Sequence, residues 1–173
     1  MNMLTGKLEN DKVVVEGPEA KELYETGWYG NPLGSGFELD QIEAAALLER
    51  GKLEVVIGEQ KLSLKEILNY CSERDEHFMA RYSVYKDLRE RGLAVRTGFK
   101  GCDFRVYERG AKPGKAETVK WIVFTSAEDY PCALEQLGKA IKLAQNIKSV
   151  ALWAVVDNDS DCTYYIIESP KVG

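Results

Sequence analysis

The sequence predicts an α/β chain of the α+β kind: a small mixed α/β domain over residues 1–78, then a second α/β domain over residues 79–173 built on a central mixed sheet. Three observations carry this. Capping signatures open apolar stretches of helical period, short β-branched runs bounded by glycines lie between them, and no low-complexity linker divides the halves. With 173 residues and 45% hydrophobic content, the chain can bury one large core or two small ones.

The first half opens with a hairpin expected around Asn10-Asp11, followed by a Gly/Pro-rich loop from Gly27 to Gly36 that holds Trp28 and Tyr29. Asp40 with Glu43 three residues on has capping-box spacing ahead of IEAAALLER, and Gly51 supplies the stop. Leu53 to Ile57 reads as a strand, and Ser63 with Glu66 repeats the capping signature before LKEILNY. Phe78, Tyr82, Tyr85 and Leu88 then fall on one stripe of a helix that ends at Gly92 and joins the halves.

In the second half, strand-like runs at 93–96, 103–107 and 118–124 are separated by Gly98, Gly101, Gly110, Pro113 and Gly114. Pro131 opens a further helix whose apolar stripe is Leu134, Leu137, Ile141, Ala144 and Ile147. VALWAVVD, the turn Asn158-Asp159-Ser160 and CTYYIIE complete a closing hairpin. Tyr164, Tyr165, Ile166 and Ile167 are apolar on both faces of its last strand. That pattern suits either a central strand of the domain's own sheet or an edge that a partner chain covers.

Charge and cysteines limit the function classes. No run of 18 apolar residues and no signal-peptide pattern is present, so a soluble, cytoplasmic chain without a membrane association is expected. Cys71, Cys102, Cys132 and Cys162 stand singly and His77 is the only histidine, which does not suit a zinc site; the four read as buried thiols and His77 as a surface residue. The net charge of −5 argues against strong free-standing nucleic-acid binding. Its distribution is uneven: residues 1–85 carry 9 Lys/Arg against 16 Asp/Glu, whereas residues 86–120 carry 10 against 5. A basic band therefore opens the second half.

That band coincides with RYSVYKDLRERGLAVRTGFKGCDFRVYERG, Arg81 to Gly110, which together with AIKLAQNIK resembles the nuclease domain of the archaeal tRNA-intron splicing endonucleases. The likeness is strongest from residue 80 to 168 and looser in the first half. It implies a small α/β N-terminal domain, an α/β nuclease domain, and four such units assembled around a precursor tRNA that carries a bulge-helix-bulge motif. It also implies cleavage without metal or cofactor, in which the ribose 2′-hydroxyl attacks the adjacent phosphate and leaves a 2′,3′-cyclic phosphate. Such chemistry needs a base, an acid for the leaving oxygen and a fixed cation for the phosphorane charge.

The resemblance assigns those tasks to a tyrosine, a histidine and a lysine. Tyr107 stands where the tyrosine belongs, but the other two positions hold Glu117 and Ser149. A glutamate brings negative charge toward a phosphate, and a serine supplies no cation. Lys148 is adjacent to Ser149, yet a one-residue slip near a strand aims the side chain elsewhere. The chain accordingly resembles the structural subunit that some archaea pair with a catalytic one, two of each, and Tyr107 reads as a strand aromatic. By the same resemblance, Ala127-Glu128-Asp129-Tyr130 lies where an acidic loop enters a basic pocket of an opposing subunit, with Glu128 and Asp129 as assembly residues beside Tyr164 and Ile166. Lys142 holds the place of a base-clamping arginine, and Lys148 and Arg109 are further RNA-binding candidates; a lysine keeps the charge of an arginine but not its stacking plane.

Three other readings stay open. The chain could be an active homomeric enzyme in which Tyr107 works with Lys115 or Lys120. Metal-dependent cleavage through Asp103, Glu117 and Lys120 has the wrong spacing, since Glu117 and Lys120 are three apart and face opposite ways on a strand. A stand-alone RNA-binding or scaffold module is weakened by the acidic total and by a basic band without interleaved surface aromatics.

Overall fold

The computed structural model describes residues 3–115 and 118–172. The chain divides into two compact units, Met1–Tyr82 with Lys112–Gly114, and Ser83–Ala111 with Lys115–Gly173. Among the described residues no helix is long and apolar enough to cross a membrane.

The first unit begins with β1 (Leu4–Glu9) and β2 (Lys12–Val15), joined through Asn10 and Asp11 at φ 47° and 64°. Two successive positive φ values match the right-handed twist of a hairpin, which is why Asn and Asp stand there. Next come α1 (Pro18–Gly27), β3 (Asn31–Leu33) and β4 (Gly36–Asp40), then α2 (Gln41–Glu49), β5 (Leu53–Ile57), β6 (Gln60–Leu62) and α3 (Leu64–Arg74). The strands form one sheet in the order β3-β4-β2-β1-β5-β6, antiparallel throughout except for the β1–β5 pair. Strand β3 occupies part of what the sequence presented as loop, and helix α1 fills a stretch to which the sequence assigned no element. Pro18 at the first turn favours the helix, and Leu33 stays exposed on an edge strand too short to show a period.

Helix α2 is buried from Ile42 through Leu47, and its three consecutive alanines leave little bulk on any side. A helix apolar all round has to lie inside a domain rather than on it. Asp40 caps it by accepting from Ile42 N–H at 3.1 Å. Glu43 does not serve the cap as its spacing suggests. It is fully buried and accepts instead from Gly30 N–H at 2.5 Å, in the turn where Trp28 and Gly30 have φ 53° and 74°. A Cβ on Gly30 would meet the Glu38 carbonyl at 2.9 Å, so the turn needs glycine as well as the carboxylate. On α3 the expected capping box is formed, with Ser63 and Glu66 bonded reciprocally; the two bonds from Ser63 also hold the Glu66 carboxyl below its ordinary range.

Helix α4 (Phe78–Glu90) runs on from the first unit into the second. In the first, Phe78 and Tyr82 stack at 6.0 Å, and the Tyr82 hydroxyl donates to the Glu49 carboxylate at 2.6 Å. Burial, with that bond, pushes the Tyr82 phenol well above its usual range. In the second, fully buried Tyr85 packs on Phe104 at 5.7 Å.

The second unit continues with β7 (Ala94–Arg96), β8 (Phe104–Tyr107), β9 (Trp121–Ala127), α5 (Leu134–Asn146), β10 (Val150–Val156) and β11 (Cys162–Ile167). Its sheet has the order β11-β10-β9-β8-β7 and is antiparallel except for the parallel β9–β10 pair, which α5 connects. Helix α5 is seated through Ala140 and Ala144 on Ile122 and Ala151, with Leu143 and Ile147 partly buried beside them. Ala144 and Ile147 of the expected stripe are thus in place, but its first residue is not: Leu134 is 84% exposed, and Ala140 and Leu143 take the contact instead.

Strand β11 is an edge, so the central-strand alternative is excluded. Of the four free cysteines only Cys71 is buried; Cys102 and Cys162 are half-buried and Cys132 is exposed in the loop before α5, which corrects the expectation of four buried thiols. Burial raises the Cys71 thiol to about 12 and that of Cys102 to about 11.

Removing the Glu43 carboxylate leaves the buried Gly30 N–H without this acceptor. Glu43→Ala is expected to cost about 2–3 kcal/mol, read as a lower urea midpoint at unchanged slope; a loss within error of zero would show that the turn does not depend on it.

Candidate functional site

The pairing of β9 assembles one end of the second unit's sheet. Trp121, its first residue, lies opposite Val106 of β8 on one side and Val150 of β10 on the other. Tyr107 and Ser149 therefore stand one residue beyond these partners, flanking the chain that enters β9. Two strand spacings separate them, about 10 Å. Tyr107 has the alternation of Arg105, and Ser149 that of Ala151, and both neighbours lie opposite Ile122. Since Ile122 and Ala151 meet α5, Tyr107 and Ser149 belong to the α5 face. Two of the three sequence-predicted positions are thus brought together. The third, Glu117, lies outside the described residues.

Tyr107 is buried, with 6% of its surface exposed, and its hydroxyl accepts from Arg105 Nη1 at 3.5 Å. Arg96 stands opposite Arg105 across β7–β8 and is itself buried. These arginines were not singled out from the sequence, although alternation along β8 places Arg105 beside Tyr107. Ser149 follows Lys148, whose φ of 54° breaks the chain direction between α5 and β10, and its N–H bonds to the Ala144 carbonyl at 2.8 Å. The Ser149 hydroxyl oxygen is buried and has no hydrogen-bond partner among the described residues.

The lysines offered as substitutes differ in their surroundings. Lys120 pairs with Glu108 at 3.1 Å and its ammonium lies 4.5 Å from the Trp121 ring centroid; Lys115 is exposed in the loop before β9. Asp103 accepts from Thr125 N–H at 2.8 Å and from its hydroxyl at 3.2 Å. His77 is 40% exposed beside Glu76, 3.3 Å away, in the first unit.

The remaining candidates lie on surfaces. Lys142, Lys148 and Arg109 are exposed. Glu128 and Asp129 are exposed at the opposite end of β9 from Tyr107, where Glu128 N–H bonds to the Val156 carbonyl at 2.9 Å. On β11, Ile166 is 61% and Tyr165 is 52% exposed, on opposite faces of the edge. Tyr164 points inward instead. Its hydroxyl donates to Asp87 at 2.6 Å, and burial with that bond drives its phenol well above the usual range.

The two-unit α/β layout, with a helix-connected parallel strand pair in its second sheet, matches the two-domain layout of one known family. Residues 78–164 match the model of the tRNA intron endonuclease catalytic C-terminal domain, and residues 4–68 that of the tRNA intron endonuclease N-terminal domain. The chain belongs to the tRNA intron endonuclease family. It is 38% identical over 169 residues to a tRNA-splicing endonuclease of Methanosarcina mazei, covering 98% of this chain and 47% of that protein. It is 41% identical over 150 residues to one of Thermococcus kodakarensis, covering 86% and 87%, and 37% identical over 168 residues to one of Thermococcus gammatolerans, covering 96% and 98%. The chain thus spans about half the length of the Methanosarcina relatives and nearly the whole of the Thermococcus ones.

Tyr107→Phe keeps the ring in its packing and removes the acceptor of one bond to Arg105. A stability loss of about 1 kcal/mol is expected in chemical denaturation; a loss several times larger would mean that the hydroxyl organises more of the sheet end than that bond.

Proposed function

We propose that this chain is a structural subunit of a tRNA-splicing endonuclease, with residues 1–78 as an accessory domain and 79–173 as a nuclease-like domain. A catalytic subunit joins it, two of each, to excise introns from precursor tRNA at bulge-helix-bulge motifs. The observation that carries this reading is Ser149: where the resemblance calls for a cation, the side chain is a hydroxyl whose oxygen is buried and out of reach of a phosphate. Glu117 at the acid position adds negative charge where a leaving oxygen needs a proton. The lengths of the relatives support a partnership, since the Methanosarcina proteins have room for a second unit of this size in the same chain.

In this reading the partner supplies base, acid and cation. This chain contributes surfaces: Lys142, Lys148 and Arg109 toward RNA, and Glu128, Asp129, Ile166 and the Tyr164 strand toward assembly. A second reading, the active homomer, is favoured by one observation: Arg105 places a guanidinium on the Tyr107 hydroxyl, and it serves better as a substitute cation than Lys120, which is engaged by Glu108.

The purified chain alone is expected not to cleave a bulge-helix-bulge RNA, and adding the catalytic subunit should restore cutting to 2′,3′-cyclic phosphate ends. In the assembled complex, Tyr107→Phe should change single-turnover cleavage less than about twofold, whereas removal of a general base costs roughly a hundredfold or more. Cleavage by the chain alone, abolished by Tyr107→Phe or Arg105→Ala, would establish the homomer instead.

Replacing Glu128 and Asp129 together by Lys inverts the charge offered to a basic partner surface. The mixed assembly should fall to smaller species in sedimentation velocity at moderate salt; unchanged sedimentation would reduce the loop to a solvated turn.

A further inference from the structure

On the α4 face of the second unit's sheet, Arg91, Leu93, Glu108, Arg109, Lys120 and Trp121 line an open cleft of about 470 Å³. Trp121 shares its face with Val106, and so faces away from Tyr107. The cleft opens on the opposite face of the sheet from Tyr107 and shares with the sheet-end site only Lys120, which Tyr107 and Ser149 flank. We propose that it binds an unpaired nucleotide of single-stranded RNA, with the base laid against Trp121 and the flanking phosphates on Arg109 and Arg91. The proposal rests on the family reading that the chain works on RNA.

Three features fit that ligand. The indole is partly exposed and carries the Lys120 ammonium over its ring, 4.5 Å from the centroid, so a base takes the place of that ammonium on the ring and leaves it beside the flanking phosphate. Arg91 is held in place by Asp87 at 3.0 Å, and Asp87 is itself fixed by the Tyr164 hydroxyl, so the guanidinium is ordered before any ligand arrives. Arg109 lies over Gly92, where an added Cβ would stand 3.8 Å from its side chain, and is free of bulk on that side to reach the mouth of the cleft. Among the described residues Glu108 is the one carboxylate of the lining, and Lys120 neutralises it at 3.1 Å. An acidic peptide would use the cations and leave the indole idle. A nucleotide uses both.

The site also fits the charge layout of the chain. A net charge of −5 disfavours RNA over most of the surface, and the cleft gathers three of the cations of the basic band in one place.

The test uses the full chain and a fluorescein-labelled hexauridylate, with binding read by anisotropy across a salt series. Arg109→Ala and Trp121→Leu are each expected to weaken binding roughly tenfold, and Arg109→Ala to lower the slope of log affinity against log salt by about 0.7. Arg109 is exposed and its removal leaves the core intact, so this variant remains decisive even if Trp121→Leu folds poorly. Hexauridylate affinity and salt slope unchanged in Arg109→Ala would overturn the proposal, whatever the complex does to precursor tRNA. Displacement by hexaglutamate as effective as by unlabelled hexauridylate, with Trp121→Leu silent in a folded protein, would make the cleft a protein-docking surface and overturn it too. Failure of the partnered complex to cut precursor tRNA, with the hexauridylate results as expected, would remove the function proposed above and leave the cleft standing.

Discussion

The second unit is organised by one strand. Because β9 pairs in parallel with β10 and antiparallel with β8, its first residue sits between Val106 and Val150, and this double register decides what meets at the end of the sheet. A shift of one residue on either side would send Tyr107 or Ser149 to the other face. The parallel pair in turn requires a crossover, which α5 supplies, and the crossover fits closely only because Ala140 and Ala144 present so little bulk to Ile122 and Ala151. Small residues on a helix thus fix the geometry of a site to which they contribute no functional group.

The same strand separates two kinds of surface. Its beginning carries the basic groups and the phenol, and its end carries Glu128 and Asp129. In the role proposed above, opposite charge at the two ends of one strand would let a subunit face nucleic acid with one end and protein with the other. Stability comes from elsewhere. Helix α2 of the first unit, closed in on all sides, together with the carboxylate of Glu43 inside that unit, makes a core that owes nothing to RNA.

Much of this was legible in the sequence. The hairpin at Asn10-Asp11, the β5 strand, the Ser63 capping box and the stripe of α4 follow from local chemistry that tertiary packing did not override. Where packing chose among several local options, the reading failed. Glu43 had capping spacing but was claimed by a turn thirteen residues earlier, and the expected α5 stripe held at Ala144 and Ile147 but not at exposed Leu134, with Ala140 seated in the core beside it. The site was half legible. Tyr107 and Ser149 could be located by resemblance, but the inward turn of the Ser149 hydroxyl and the guanidinium of Arg105 on the Tyr107 oxygen depend on register, which one chain does not display. The aromatic next to the basic band was missed for the same reason: within the strand-like run 118–124 nothing marked Trp121 as the residue with which β9 begins.

Strand β11 has a further consequence. It leaves one line of backbone groups unpaired while Tyr165 and Ile166 offer apolar surface on both sides of it. Such an edge accepts any complementary strand, including one from a misfolded neighbour. A cell making this chain in excess over whatever covers that edge would accumulate a sticky intermediate, so balanced supply becomes a matter of protein quality as well as of stoichiometry. The demand originates in six residues, Cys162–Ile167, that perform no chemistry.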